Sequence, residues 1–205
     1  MLFAMALPGC LMAQMREGGY QALKADKENT VTAISVNVVP LGNGILYFHE
    51  GGDPRKPLSG PYRITVNRRE YCTGNFKKGF VDGDWERHRD DRLLEKRTVY
   101  KNGLLDGKFI RFRESGKEEY VYTYENGRKR YYISYHPGGK IREEQFYDED
   151  ERLHGDMFTY DEEGKIVGEK RYQHGRRQGV QVETDRDGYK VSQVYVDHKK
   201  CGVYS

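Results

Sequence analysis

A repeat constrains this chain more than any other feature. An aromatic residue recurs at Phe76, Tyr100, Tyr124, Tyr147, Tyr172 and Tyr195, in steps of 23 to 25 residues. In most cases a glycine follows three residues later, at Gly79, Gly103, Gly127 and Gly175. A second glycine stands two residues before a bulkier side chain: Gly60 before Tyr62, Gly83 before Trp85, Gly107 before Phe109, Gly155 before Met157, Gly179 before Gln181 and Gly202 before Tyr204. A third mark is a tight turn, at Ser115-Gly116-Lys117, Gly138-Gly139-Lys140, Glu163-Gly164-Lys165 and Asp187-Gly188-Tyr189. Three marks on one period point to an array of like units rather than one globule.

The stretch from Tyr100 to Tyr124 serves as the type unit. Tyr100 to Gly107 is expected to be a loop with two glycines, Lys108 to Phe112 a first strand, Arg113 to Lys117 a turn, and Glu118 to Tyr124 a second strand. Alternation puts Tyr120, Tyr122 and Tyr124 on one face. A lone hairpin is marginal in water. Stacked hairpins give each edge strand a partner, and their stability then comes from nearest neighbours. Hydrophobic residues are 36% and charged residues 33%, too polar for a thick core, while 13% aromatics is far from a disordered composition. The expected fold is therefore all-β, an elongated single-layer antiparallel sheet of stacked β-hairpins. No helical period is evident in the repeats.

Three segments are expected. Residues 1–14 are a leader, 15–46 a linker with capping strands, and 47–205 the repeat array. In the middle segment, 15–29 is polar and reads as a linker or short helix. Val31 to Val39 alternates as a strand closed by Pro40, and Ile45 to Phe48 is a second strand. Two units slip: the third has Arg130 in place of its second glycine, and the fourth, Tyr147 to Gly155, lacks the first. Such slips fall in loops, where length changes cost little.

These marks resemble the MORN repeat, and more closely a bacterial variant found in exported proteins and in antitoxin components of toxin–antitoxin systems. Tyr100-Lys-Asn-Gly103-Leu-Leu-Asp-Gly107-Lys-Phe109 and Tyr172-Gln-His-Gly175-Arg-Arg-Gln-Gly179 carry the resemblance, which covers roughly residues 47 to 205. It implies stacked hairpins that serve as scaffolds and interaction surfaces, and its antitoxin members imply protein binding.

Met1 to Gln14 carry no charge, whereas the rest is heavily charged. That contrast fits a signal-peptide core ending near a small residue. Two processing routes are open: cleavage after Ala13, or lipidation at Cys10, because Leu7-Pro8-Gly9-Cys10 resembles a bacterial lipobox. Both place the chain in the periplasm or cell envelope; the alternative is a cytoplasmic protein with an apolar N-terminus. No apolar run reaches the ~20 residues of a transmembrane helix. Cys72 and Cys201 are over five repeats apart, on the order of 50 Å along a ribbon, whereas a disulfide needs about 7 Å between Cα atoms. Both are expected to be unbridged within one subunit.

No catalytic set is legible. The six histidines show no i, i+4 pair. Residues one period apart become neighbours, but His174 and His198 would stack about 10 Å apart, too far to share a metal. No cofactor, no metal and no enzymatic activity are expected. Basic and acidic residues are balanced along the chain, 35 against 32, which argues against a nucleic-acid partner. Two surfaces remain as binding candidates for a protein or envelope component. One is aromatic: Tyr120, Tyr122, Tyr132, Tyr135 and Tyr160, since tyrosine offers rigid area and a polar tip. The other is a basic loop edge with Arg128, Lys129, Arg130, Arg176 and Arg177. An open sheet edge also permits dimers through the last hairpin.

Overall fold

The computed structural model describes residues 18–25, 31–42, 45–65, 70–89 and 93–204. The leader, with Cys10 and Ala13, lies outside the described residues. No helix occurs among those described, and so none long and apolar enough to cross a membrane. Two compact units divide between Gly116 and Lys117.

The first unit holds β1 (Gly18–Ala25), β2 (Val31–Gly42), β3 (Ile45–Glu50), β4 (Gly60–Thr65), β5 (Glu70–Lys77), β6 (Phe80–Arg89), β7 (Leu93–Lys101) and β8 (Leu104–Phe112). Its antiparallel ladder runs β3-β2-β1-β4-β5-β6-β7-β8. Over Gly18–Ala25, β1 corrects the linker-or-helix expectation made for residues 15–29. Its backbone pairs with both β2 and β4, so it needs little side-chain signal to be a strand. The expected strands over Val31–Val39 and Ile45–Phe48 are present as β2 and β3.

This ladder rolls until β3 meets the β5–β6 turn. The Phe48 amide donates to Gly79 O at 2.8 Å, and the Gly79 amide to Leu58 O at 2.8 Å. The roll encloses Val36, Val38, Phe48, Leu58, Ile64, Cys72, Phe76 and Trp85. So full a core was not expected from composition. Alternation supplies it: Tyr62 and Ile64 are buried while Pro61, Arg63 and Thr65 are exposed. Trp85 is the keystone, edge-on to Phe76 with 4.9 Å between centroids, its Nε1 donating to Asn75 O at 3.0 Å.

The second unit holds β9 (Glu118–Glu125), β10 (Arg128–Tyr135), β11 (Ile141–Phe146), β12 (Gly155–Tyr160), β13 (Ile166–Gln173), β14 (Arg176–Arg177), β15 (Gly179–Thr184), β16 (Lys190–Val196) and β17 (Lys199–Tyr204). Neighbours pair antiparallel in chain order, with the short β14 and then β15 both on β13. Its burial is shallow. Among the described residues only Val121 and Tyr124 are buried hydrophobics, and Phe146, Ile166, Val180 and Tyr189 are exposed.

The repeat marks have physical roles that differ in part from the expected ones. Asn102 and Gly103, at φ 49° and 86°, form a two-residue turn directly between β7 and β8. Both positions need positive φ, which Asn-Gly supplies. The eight-residue loop expected from Tyr100 to Gly107 is therefore mostly strand. Gly107, at φ 130°, is a bulge inside β8: three residues there face one on β7. Where Arg130 replaces that glycine, the bulge shrinks to a single extra residue. Neither Cys72, buried on β5, nor the exposed Cys201 forms a disulfide among the described residues.

Candidate functional site

The aromatic candidates separate onto two faces of the second unit. Tyr132 sits opposite Tyr122, and Ser134 opposite Tyr120, so Tyr120, Tyr122 and Tyr132 share one face. Their ring centroids lie 5.7 Å (Tyr120–Tyr122), 6.1 Å (Tyr120–Tyr132) and 4.7 Å (Tyr122–Tyr132) apart. Lys129 closes the cluster, its Nζ 4.0 Å from the Tyr147 centroid and 5.6 Å from that of Tyr122. The Tyr147 hydroxyl donates to Gln145 Oε1. Burial, then the neighbouring Tyr132 and Tyr120 hydroxyls, push the Tyr122 phenol up to about 12. Burial holds the Lys129 ammonium below its ordinary range. At neutral pH the Tyr122 phenol keeps its proton, so it acts as a hydrogen-bonding and stacking group rather than as a nucleophile.

Tyr160 lies on the opposite face, where Tyr131 and Tyr160 clamp one carboxylate. Tyr131 donates to Glu144 Oε1 at 2.5 Å and Tyr160 to Oε2 at 2.6 Å. Tyr135 shares the parity of Tyr131 on β10, and its phenol is raised by burial and then by Glu118. Sequence alternation sets Tyr120, Tyr122 and Tyr124 on one face. It does not place Tyr132, Tyr135 or Tyr160 relative to them, because the parity of one strand against the next depends on turn and bulge lengths, and the extra residue at Arg130 decides it here.

The basic edge is largely occupied by the following turn. Arg128 Nη1 donates to Glu149 O at 2.8 Å, and the Lys129 amide to Glu151 Oε1 at 2.8 Å. Arg130 reaches Glu125 at 3.1 Å, Arg176 pairs with Asp197 at 2.6 Å, and Arg177 donates to the Tyr195 hydroxyl at 3.2 Å. Arg128 and Arg176 reach the next turn, Arg177 the next strand, Arg130 its own hairpin and the Lys129 ammonium the Tyr147 ring, which leaves the edge a weaker lure for an anionic partner than its sequence implies.

A further constellation escaped the sequence reading. Asp148, His154 and His174 each offer one ligand atom, and these lie within 4.8 Å of one another. Asp148 opens the β11–β12 turn, His154 precedes β12, and His174 sits in the turn after β13. The expected neighbours were His174 and His198, one period apart. The observed neighbour is His154, with ring centroids 5.0 Å from His174. In several units the residue before the second repeat glycine caps the amide of the residue before the next unit's turn glycine. Ser59 caps Lys78, Asp82 caps Asn102 and His154 caps His174; Gln178 caps Asp197 in the same way. That offset of 19 or 20 residues was readable from the two glycine marks together.

Comparison with protein-family models gives no match, and comparison with the curated proteins gives none either. The likeness to MORN repeats thus rests on the residues that carry it.

Proposed function

We propose that this chain is a non-catalytic, MORN-like repeat scaffold, exported to the cell envelope, that holds a protein partner on the Tyr120–Tyr122–Tyr132 face of its second unit. That cluster carries the proposal. Tyrosines cost little side-chain entropy on binding and present both ring area and a hydroxyl. The surrounding unit buries few apolar side chains, so the cluster concentrates ring surface where the rest of the ladder is polar. The cations of the basic edge already have partners, which favours the aromatic face over that edge. The uncharged Met1–Gln14 segment supports export.

Cross-linking in an envelope fraction with mass spectrometry tests the binding. The expected result is one protein captured by the unaltered chain and by the Arg176→Ala/Arg177→Ala pair, but lost with Tyr122→Ser/Tyr132→Ser. Capture that survives the tyrosine changes and fails with the arginine changes overturns the assignment. Intact mass tests the export: a chain beginning at Gln14, or at a lipid-bearing Cys10, supports it. A chain that keeps Met1 or Leu2 overturns it and leaves a cytosolic, antitoxin-like binder.

A further inference from the structure

We propose that Asp148, His154 and His174 form a surface site for a divalent transition-metal ion, with Zn²⁺ as the expected occupant. Two imidazoles and one carboxylate suit Zn²⁺ or Cu²⁺ and discriminate against Mg²⁺ and Ca²⁺, which take oxygen ligands. A tetrahedral ion with bonds near 2.0–2.2 Å needs donor atoms roughly 3.3 Å apart. His174 Nδ1 and Asp148 Oδ2 are already 2.8 Å apart. His154 is exposed, and side-chain rotation closes the remaining gap from at most 4.8 Å. A water fills the fourth position.

Asp148 is held ready for this role. Its Oδ1 accepts the amides of Asp150 and Arg152, at 3.0 and 2.9 Å, which fixes the carboxylate plane and turns Oδ2 toward His174. A ligand oriented by such outer bonds loses little freedom on coordination. His154 Nδ1 accepts the His174 amide at 3.5 Å, the long limit of a hydrogen bond, so giving up that contact costs little. An open groove of about 360 Å³, lined in part by His174, Gln178 and Asp197, gives access from solvent.

Arg152 holds the place of the cation. Its Nε lies 3.1 Å from Asp148 Oδ2 and its Nη2 3.1 Å from His174 Nδ1. Metal entry expels it toward Asp150, whose Oδ2 already lies 2.7 Å from Nη2. Arg152 therefore competes with the metal.

Isothermal titration of the untagged, reduced chain with ZnCl₂ tests the site, with CaCl₂ as control. The expected result is saturable one-to-one Zn²⁺ binding with a Kd on the order of 1–10 μM and no saturable Ca²⁺ binding. Asp148→Asn keeps both turn acceptors and His154→Gln keeps the cap, as Gln178 does one unit on. Each weakens binding tenfold or more, His174→Ala abolishes it, and Arg152→Gln tightens it. Circular dichroism identical to the unaltered chain certifies the fold of each variant. Absence of saturable binding below 1 mM overturns the site. So does binding that survives His154→Gln and His174→Ala, that disappears with Cys201→Ser, or that weakens with Arg152→Gln.

Discussion

Gly74→Ala is the sharpest probe of the first unit's core. A Cβ built on Gly74 falls 2.2 Å from Trp85 Cδ2, 2.4 Å from Cε2 and 2.5 Å from Cγ. Ordinary carbon contacts begin near 3.5 Å, so the indole must retreat by about 1.3 Å. It has nowhere to go, being fully enclosed and pressed against Phe76. Overpacking of this kind costs about 1–3 kcal/mol, and a displaced Nε1 loses its bond to Asn75 O for about 1 kcal/mol more. The total is about 3 kcal/mol. With a urea slope of about 2 kcal/mol/M, the midpoint falls by about 1.5 M. Trp85 is the only tryptophan in the chain, so its fluorescence follows the unfolding of this unit. Gly83→Ala is the control. Its Cβ meets nothing within 4 Å, and only its φ of +73° opposes the change, for about 1 kcal/mol. Gly74→Ala must therefore be the worse of the two. In a Trp85→Leu background, read by circular dichroism, the penalty of Gly74→Ala shrinks by about 2 kcal/mol. A midpoint within about 0.3 M of the unaltered chain refutes the packing argument.

Glu95→Gln lowers first-unit stability at pH 7 by about 3 kcal/mol, because Glu95 is buried among Arg87, Arg89 and Arg111. Burial works to raise its carboxyl, but the Arg111 hydrogen bond and the charges of Arg111, Lys96 and Arg87 outweigh it and hold the group low. A depressed folded pKa gives stability that is present above the unfolded value of about 4.3 and is lost as pH falls through the folded one. The gap between Glu95→Gln and the unaltered chain therefore narrows below about pH 4 in acid titrations of the fluorescence; a gap constant down to pH 2 contradicts this. Lys78→Asn raises the urea midpoint by about 0.3 M, a gain of about 0.5 kcal/mol. Lys78 holds φ 51° in a turn where Asn102 and Asn126 stand in other units, and Asn tolerates that region better. An unchanged or lower midpoint counts against it.

What was legible in the sequence was local chemistry on a fixed period. Asn102-Gly103 and Asn126-Gly127 carry turn chemistry in their residue types, and alternation puts Tyr120, Tyr122 and Tyr124 on one face, whereas the extra residue at Arg130 is what brings Tyr132 opposite Tyr122. The first unit's core was harder to see, because composition averages it with the polar second unit. It exists because β1 to β3 and the segment carrying Leu58 roll back onto β5 and β6, a long-range closure that no single window encodes. Gly107 read as a loop residue because positive φ is common to turns and bulges alike. The tyrosine surface was half legible: residue type named its members, but bulge lengths decided that Tyr135 and Tyr160 face away from Tyr122.

The docking between successive repeats explains why chemistry can vary at one position without loss of fold. Four turns donate a backbone amide to a carbonyl 21 or 22 residues earlier: Gly79 to Leu58, Gly103 to Val81, Gly175 to Leu153, and His198 to Arg177. These bonds use main chain only, so they persist whatever side chains flank them. The adjoining cap asks just for an acceptor, and Ser59, Asp82, His154 and Gln178 all qualify. Selection is then free to place any acceptor there, including one that also ligates metal. The fourth unit goes further. Its turn has Asp148 accepting two amides and Glu151 at φ 60° in place of glycine, the same Asp-headed turn that Asp161 and Asp185 form at the other end of the hairpins. Substituting that turn for the Asn-Gly type brings a carboxylate to the docking edge, beside the histidine cap. The departure from the repeat thus introduces the ligand that a perfect repeat would lack.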